Sequence, residues 1–98
     1  GVAAKDTMKV CDENGIVLET PNRSTLWHIQ TPQTFRREII QHAYEKAQSE
    51  GFQGTDDASV AEFAGSKIKV IQGSYQNIKI TTKEDLLVGT CFLEEEKE

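Results

Sequence analysis

Hydrophobic and polar positions alternate most clearly near the end of the chain. Ile78 and Ile80 are interleaved with Asn77, Lys79 and Thr81, the two-residue period of a half-buried strand. Thr82 is followed three residues later by Asp85, a capping-box pattern, and Leu86-Leu87 then opens an apolar run. The pattern predicts a strand over 78–80 and a helix over 84–93. Residues 6–10 also alternate, Asp12-Glu13-Asn14-Gly15 is a turn signal, and Ile16-Val17-Leu18 follows. Together they predict a β-hairpin over residues 6–20. Thr20-Pro21-Asn22 breaks it, and a short strand is expected over 26–30.

Helical spacing takes over in the middle of the chain. Phe35, Ile39, Ile40, Ala43 and Ala47 form one stripe, with Gly51 placed as a C-terminal cap, so a helix is predicted over 35–49. Thr31-Pro32 offers an N-cap followed by proline at the first helical position. A second, short helix is expected from Thr55-Asp56-Asp57, with Val60, Phe63 and Ala64 inward and Gly65 at its end. A strand over 68–71 and a turn at Gly73-Ser74 complete the order. The class is α/β, but the sheet proper has three short strands where a doubly wound domain has about five or six. Neither G-x-G-x-x-G nor G-x-x-x-x-G-K-[ST] occurs, so the usual nucleotide cradle is missing.

Composition narrows the function. Ninety-eight residues, 37% of them hydrophobic, make at most one domain. A net charge of −5 argues against nucleic acid or an anionic membrane as the main partner. Part of that charge is the tail Glu94-Glu95-Glu96-Lys97-Glu98, expected to be solvated or frayed. The apolar stretch over 86–93 is too short to span a bilayer, and the N-terminus lacks the pattern of a signal peptide. Cys11 and Cys91, 80 positions apart, suit a reduced, cytoplasmic protein, and their spacing with His28 and His42 supports no zinc site. His28 and His42 read as surface or packing residues, Trp27 as packing, and Asp56 and Asp57 as helix-start electrostatics rather than metal ligands. Thr31 and Thr55 are most simply helix caps, although a helix N-terminus can also serve an anion. Lys79, at the carboxyl end of a strand, is either an edge lysine or a point-charge ligand for phosphate.

Four polar signatures stand between these elements: Lys5-Asp6-Thr7, Asn22-Arg23, Gln30-Thr31-Pro32-Gln33-Thr34-Phe35 and Thr55-Asp56-Asp57-Ala58-Ser59. Each is weak alone. In order, with Leu26-Trp27, Gly51-Phe52, Gly65, Asn77-Ile78-Lys79-Ile80-Thr81 and Glu84-Asp85-Leu86, they cover nearly the whole chain. That ordered set resembles the carboxyl-terminal part of the 2-C-methyl-D-erythritol 4-phosphate cytidylyltransferase family.

The resemblance implies the carboxyl-terminal portion of a Rossmann-like nucleotidyltransferase sheet with flanking helices and a projecting hairpin arm. Residues 5–23 would be the arm, 24–93 the α/β part and 94–98 an acidic tail. The family transfers CMP from CTP to methylerythritol phosphate, releases pyrophosphate and uses Mg²⁺. By resemblance, Lys79 and Arg23 bind the acceptor phosphate, Thr55 and Thr7 add hydroxyl hydrogen bonds, and Thr31 is a further ligand. The arm would hook around a second subunit in a homodimer and carry Thr7 and Arg23 into its site. No metal ligand and no residue of the bond-breaking machinery is expected here, because the CTP loop belongs to the amino-terminal half. The chain is therefore expected to be a fragment, inactive alone. Three other readings are a ribitol-5-phosphate cytidylyltransferase fragment, a non-catalytic dimerisation or binding module, and a regulatory small-molecule domain. Of the two polyol phosphates, the Thr55-Asp56-Asp57-Ala58-Ser59 run and the Lys5-Asp6-Thr7-Met8-Lys9 opening favour methylerythritol phosphate.

Overall fold

A computed structural model of the chain describes residues 1–97. Its residues fall into two compact units, one of residues 1–30 with those from 71 onward, the other of residues 31–70. The first unit contains the strands β1 (Val2–Ala3), β2 (Val10–Cys11), β3 (Val17–Glu19) and β4 (Trp27–His28), a single 3₁₀ turn at Arg23–Thr25, and a helix at Lys83–Glu96. The second contains the helices α1 (Arg37–Glu50) and α2 (Asp57–Phe63), so the helix at 83–96 is α3.

The hairpin forms where its turn chemistry demands. Asp12 Oδ1 accepts the Asn14 and Ile16 N–H groups at 2.9 and 3.0 Å, and Gly15 takes φ 80°, a left-handed conformation costly for a side chain. β2 and β3 pair antiparallel, Val10 opposite Glu19 and Cys11 opposite Val17, with an irregularity between them. Lys9 Nζ donates to Thr20 Oγ1 at 2.8 Å across the hairpin's open end. Ile16, Val17 and Leu18 are all exposed, Leu18 to 65%.

β1, unexpected from the sequence, pairs antiparallel with β4 in the register Val2–His28 and Ala3–Trp27. Val2, 4% exposed, is the buried hydrophobic residue of this unit. The Gly1 nitrogen donates to the Ile71 carbonyl at 2.9 Å and the Gly73 N–H donates to the Gly1 carbonyl at 2.7 Å. Bonds to either side of Gln72 are those of a parallel strand pair. The expected strands over 68–71 and 78–80 are not formed among the described residues. A strand is defined by ladder partners, and the alternation of Ile78 and Ile80 specifies a face but supplies no neighbour. Ile80 instead lies over Gly89 of α3, where a Cβ would stand only 3.2 Å from Ile80 Cδ1.

α3 starts as its sequence requires. Thr82 Oγ1 accepts the Asp85 N–H at 3.2 Å, and the Asp85 carboxylate accepts the Thr82 N–H at 3.0 Å, closing the capping box. The helix runs past Leu93 to Glu96, so the start of the acidic tail is helical; glutamate is a good helix former. Glu98 lies outside the described residues.

α1 begins two residues later than its apolar stripe suggests and ends on Gly51 at φ 71°. Thr31-Pro32 does not start it: the Thr31–Pro32 peptide is cis and Arg36 is the N-cap residue. The intervening loop is drawn into tertiary hydrogen bonds instead. Gln33 Oε1 accepts the Ala58 N–H at 3.0 Å and its Nε2 donates to Asp56 Oδ2 at 2.9 Å, tying the loop to α2. Asp56, not Thr55, caps α2, in a capping box with Ser59.

The two helices meet through alanines. Ala43 (0% exposed), Ala47 and Val60 form the core of this unit, with Phe52, Phe63 and Ala64 half-buried against it. Phe52 and Phe63 stack with centroids 4.1 Å apart. Small residues here let the helices approach closely. Ala43→Leu should therefore overpack the contact and destabilise the unit by about 1–3 kcal/mol, read from chemical denaturation.

This core is small, and much apolar surface faces solvent. Leu86, Leu87 and Leu93 of α3 are 60, 69 and 62% exposed, and Ile71 is 73% exposed. Fully burying one such side chain stabilises by about 1.5–3 kcal/mol, a gain these residues forgo. The 98-residue chain alone should melt at low temperature or self-associate. Sedimentation velocity that showed a sharp monomer, together with a high-melting cooperative transition, would contradict this.

Candidate functional site

Lys79, Arg23 and Thr7 belong to the first unit, Thr55 and Thr31 to the second. Lys79 follows a turn in which the Asn77 N–H donates to the Ser74 carbonyl at 3.0 Å. The Gln30 carboxamide clamps this turn, donating from Nε2 to the carbonyls of Ser74 at 2.7 Å and Asn77 at 2.9 Å. Gly73 makes room for it, since a Cβ there would run into Gln30 Oε1. Lys79 itself is exposed and makes no hydrogen bond or ion pair with the described residues, so its ammonium is free to meet an anion.

Beyond Lys79, the Asp85 carboxylate accepts from the Thr81 N–H (3.1 Å), Thr81 Oγ1 (2.9 Å) and the Thr82 N–H. These bonds, the Thr81 N–H foremost, hold its pKa below the usual 3.8. The lysine thus stands between two fixed points, the clamped turn before it and the capped helix after it.

Arg23 opens the 3₁₀ turn that Asn22 caps by accepting the Ser24 N–H at 3.1 Å. Its Nη1 donates to the Lys5 carbonyl at 2.8 Å. The Lys5 ammonium lies 3.7 Å from the centroid of the Tyr75 ring, whose hydroxyl donates to the Ala3 carbonyl at 2.8 Å. Thr7 is exposed between Lys5 and the hairpin.

In the second unit Thr55 is exposed immediately before the α2 cap. It lines a cavity of about 600 Å³ with Tyr44, Gln48, Phe52, Gln53 and Asp56 among its walls. Gly54 allows the sharp entry, because a Cβ there would meet Ser59 and Val60. Asp56 is engaged on both oxygens, by Ser59 and Gln33, and the Ser59 N–H leads in lowering its pKa. The Tyr44 hydroxyl donates to Asp57, which raises the tyrosine pKa. Among the described residues no group of three or more His, Cys, Asp or Glu is arranged to hold a metal. Among the described residues, no helix is long and apolar enough to cross a membrane. Thr31 stands exposed at the head of the loop that carries Gln33.

Gln30 and Gln33, though they belong to the signature over 30–35, show nothing there of their distant partners, and Tyr75 carries no local signature in the sequence. Their hydrogen bonds span 44, 25 and 72 positions. Only the turn signal at Gly73-Ser74 hints that something must hold this loop.

A solved structure from Anaerococcus prevotii, 4-diphosphocytidyl-2C-methyl-D-erythritol synthase, superposes with a TM-score of 0.83 at 42% identity, covering 95% of this chain and 43% of that one. The likeness gives the chain an α/β fold shared with that protein. A model of the family described as IspD: 2-C-methyl-D-erythritol 4-phosphate cytidylyltransferase matches residues 1–95. The chain belongs to that family. Similar curated proteins of the same name come from Caldanaerobacter subterraneus subsp. tengcongensis, 55% identical over 93 residues, and Fusobacterium nucleatum, 56% identical over 86. The matches cover 95% and 88% of this chain but 41% and 37% of those proteins, so the chain spans about two fifths of their length.

The bonds to Asp85 set a pH dependence. Its folded pKa is depressed, so the stability it contributes is present above its unfolded value and is lost as pH falls through the folded value, below 3.8. Hydrogen exchange should show the Thr81 and Thr82 amides protected at neutral pH and losing protection in that acid window. Asp85→Asn should weaken their protection at neutral pH too.

Proposed function

We propose that this chain is the carboxyl-terminal portion of an enzyme that transfers CMP from CTP to 2-C-methyl-D-erythritol 4-phosphate in non-mevalonate isoprenoid biosynthesis. The observation that carries this reading is the family match over residues 1–95. In the reaction an oxygen of the acceptor phosphate attacks the α-phosphorus of CTP, the bond to the β-phosphate breaks, and pyrophosphate leaves.

Both reactants are anions, so holding them together requires cations and directed donors. Lys79 and Arg23 bind the acceptor phosphate, Lys79 as a point charge and Arg23 as a fork of N–H groups. Thr7, Thr55 and Thr31 add hydroxyl hydrogen bonds. The unpaired Lys79 ammonium on a braced segment supports this role, because its position is already fixed when the anion arrives. Mg²⁺ supplies charge neutralisation at the CTP phosphates when bound, and its ligands, like the CTP loop, lie outside these 98 residues.

Residues 5–23 form an arm that docks on a second copy in a homodimer and brings Arg23 and Thr7 to that copy's site. The exposed Ile16, Val17 and Leu18 support this, since a lone two-stranded hairpin is marginal in water. Residues 24–93 complete a Rossmann-like sheet with strands supplied by the rest of the enzyme, the acidic tail follows, and the enzyme works in the cytoplasm. The curated relatives' shared name favours methylerythritol phosphate over ribitol 5-phosphate as the acceptor. Turnover of the two polyol phosphates by the complete enzyme separates them.

Steady-state kinetics of the complete enzyme tests the site. Lys79→Met and Arg23→Met should each raise the acceptor KM by roughly tenfold to a hundredfold while leaving the CTP KM unchanged, as loss of a charge-assisted hydrogen bond requires. An unchanged acceptor KM in both variants would remove the phosphate-binding role. The 98-residue chain alone should release no pyrophosphate from CTP and methylerythritol phosphate.

A further inference from the structure

We propose that Tyr75 is a positioning residue for Arg23, acting through Lys5, so that an aromatic ring on the turn before Lys79 sets the second phosphate-binding cation as well. The inference rests on the reading of Arg23 as an acceptor-phosphate ligand.

Three contacts make the chain of support. The Tyr75 hydroxyl donates to the Ala3 carbonyl at 2.8 Å, its ring receives the Lys5 ammonium at 3.7 Å, and the Lys5 carbonyl receives Arg23 Nη1 at 2.8 Å. Tyr75 therefore grips the backbone at residue 3 and the side chain at residue 5, on either side of Ala4, whose N–H makes the last β1–β4 bond, to the Leu26 carbonyl. Lys5 lies past the end of β1, where no ladder bond would otherwise hold its peptide.

The ring is itself rigidly mounted. Ser74 Oγ accepts the Gln76 N–H at 3.1 Å, and Gln30 bonds the carbonyls of Ser74 and Asn77 on either side of it. Tyr75 is 44% exposed, so burial of apolar area is not its main contribution. What it offers is a π face for a cation and a donor for one carbonyl.

The consequence for Arg23 is geometric. A guanidinium has five N–H donors in a fixed plane. Committing one to a held carbonyl orients that plane and leaves the others for phosphate oxygens. The Lys5 side chain, kept over the ring, does not compete for the same anion. If the ring is removed, the Lys5 peptide loosens and Arg23 loses its reference point, though its charge remains.

The test is acceptor kinetics of the complete enzyme carrying this chain. Tyr75→Leu and Lys5→Met should each raise the acceptor KM about threefold to tenfold, the scale of a lost cation–π contact, with kcat at saturating acceptor and the CTP KM unchanged. Tyr75→Trp and Lys5→Arg, which keep a ring and a cation, should stay near the parent. In an Arg23→Met background Tyr75→Leu should add nothing, because the residue it positions is gone. Additive effects, or an unchanged KM in Tyr75→Leu when Arg23→Met raises it, would overturn the positioning role alone. An unchanged KM in Arg23→Met would overturn both the role of Arg23 and this inference.

Discussion

The carboxamide of Gln30 fixes the turn on which the polar groups of the first unit depend. One Nε2 group bonds two carbonyls, those of Ser74 and Asn77, across more than forty positions of sequence. Chain closure over that distance costs conformational entropy, and these two bonds help offset it together with those of Gly1 to Ile71 and Gly73 and of Tyr75 to Ala3. Gly73 is a glycine because the same carboxamide fills the space a Cβ would need. The turn that results carries Tyr75, leads directly into Lys79, and is followed by the Asp85-capped start of α3. Both cations of this unit that are proposed to meet phosphate are reached from that clamp, along the backbone to Lys79 and through Tyr75 and Lys5 to Arg23.

The second unit works on a different principle. Its helices are held by close packing of alanines and by one stacked pair of phenylalanines. The polar entry to α2 is equally crowded: Asp56 spends its carboxylate on Ser59 and Gln33, and Gly54 leaves no space unused. Thr55 is left beside these satisfied groups with its hydroxyl uncommitted to the cap.

What could be read from the sequence was local. Asn14-Gly15, Gly51 and the Thr82–Asp85 pair each specify their own conformation within a few residues, and each stands where expected. The features that went astray depend on distant partners. The alternation around Ile68 and Ile78 describes a face without naming a neighbour, and neither segment forms a strand among the described residues. Thr31-Pro32 has the residues of a helix start, yet Gln33 is drawn to α2 and Arg36 becomes the cap. Lys79 and Arg23 stand out only through an ordered set of signatures spread over the chain. Of the residues around them, Tyr75 has no pattern of its own, and Gln30, though it opens the signature over 30–35, shows nothing there of its partners Ser74 and Asn77.

The hairpin carries a consequence for how the enzyme behaves at low abundance. Its backbone is well specified by Asp12 and Gly15, but both faces are wet, with Ile16 and Leu18 largely uncovered. A segment of this kind draws little stability from its own chain and must take the rest from whatever covers it. If that cover is a second copy, order in the hairpin obeys mass action: the fraction of competent sites falls as the protein is diluted below the dissociation constant of the pair. Specific activity would then vary with enzyme concentration, although nothing in the chemistry of the phosphate site depends on it.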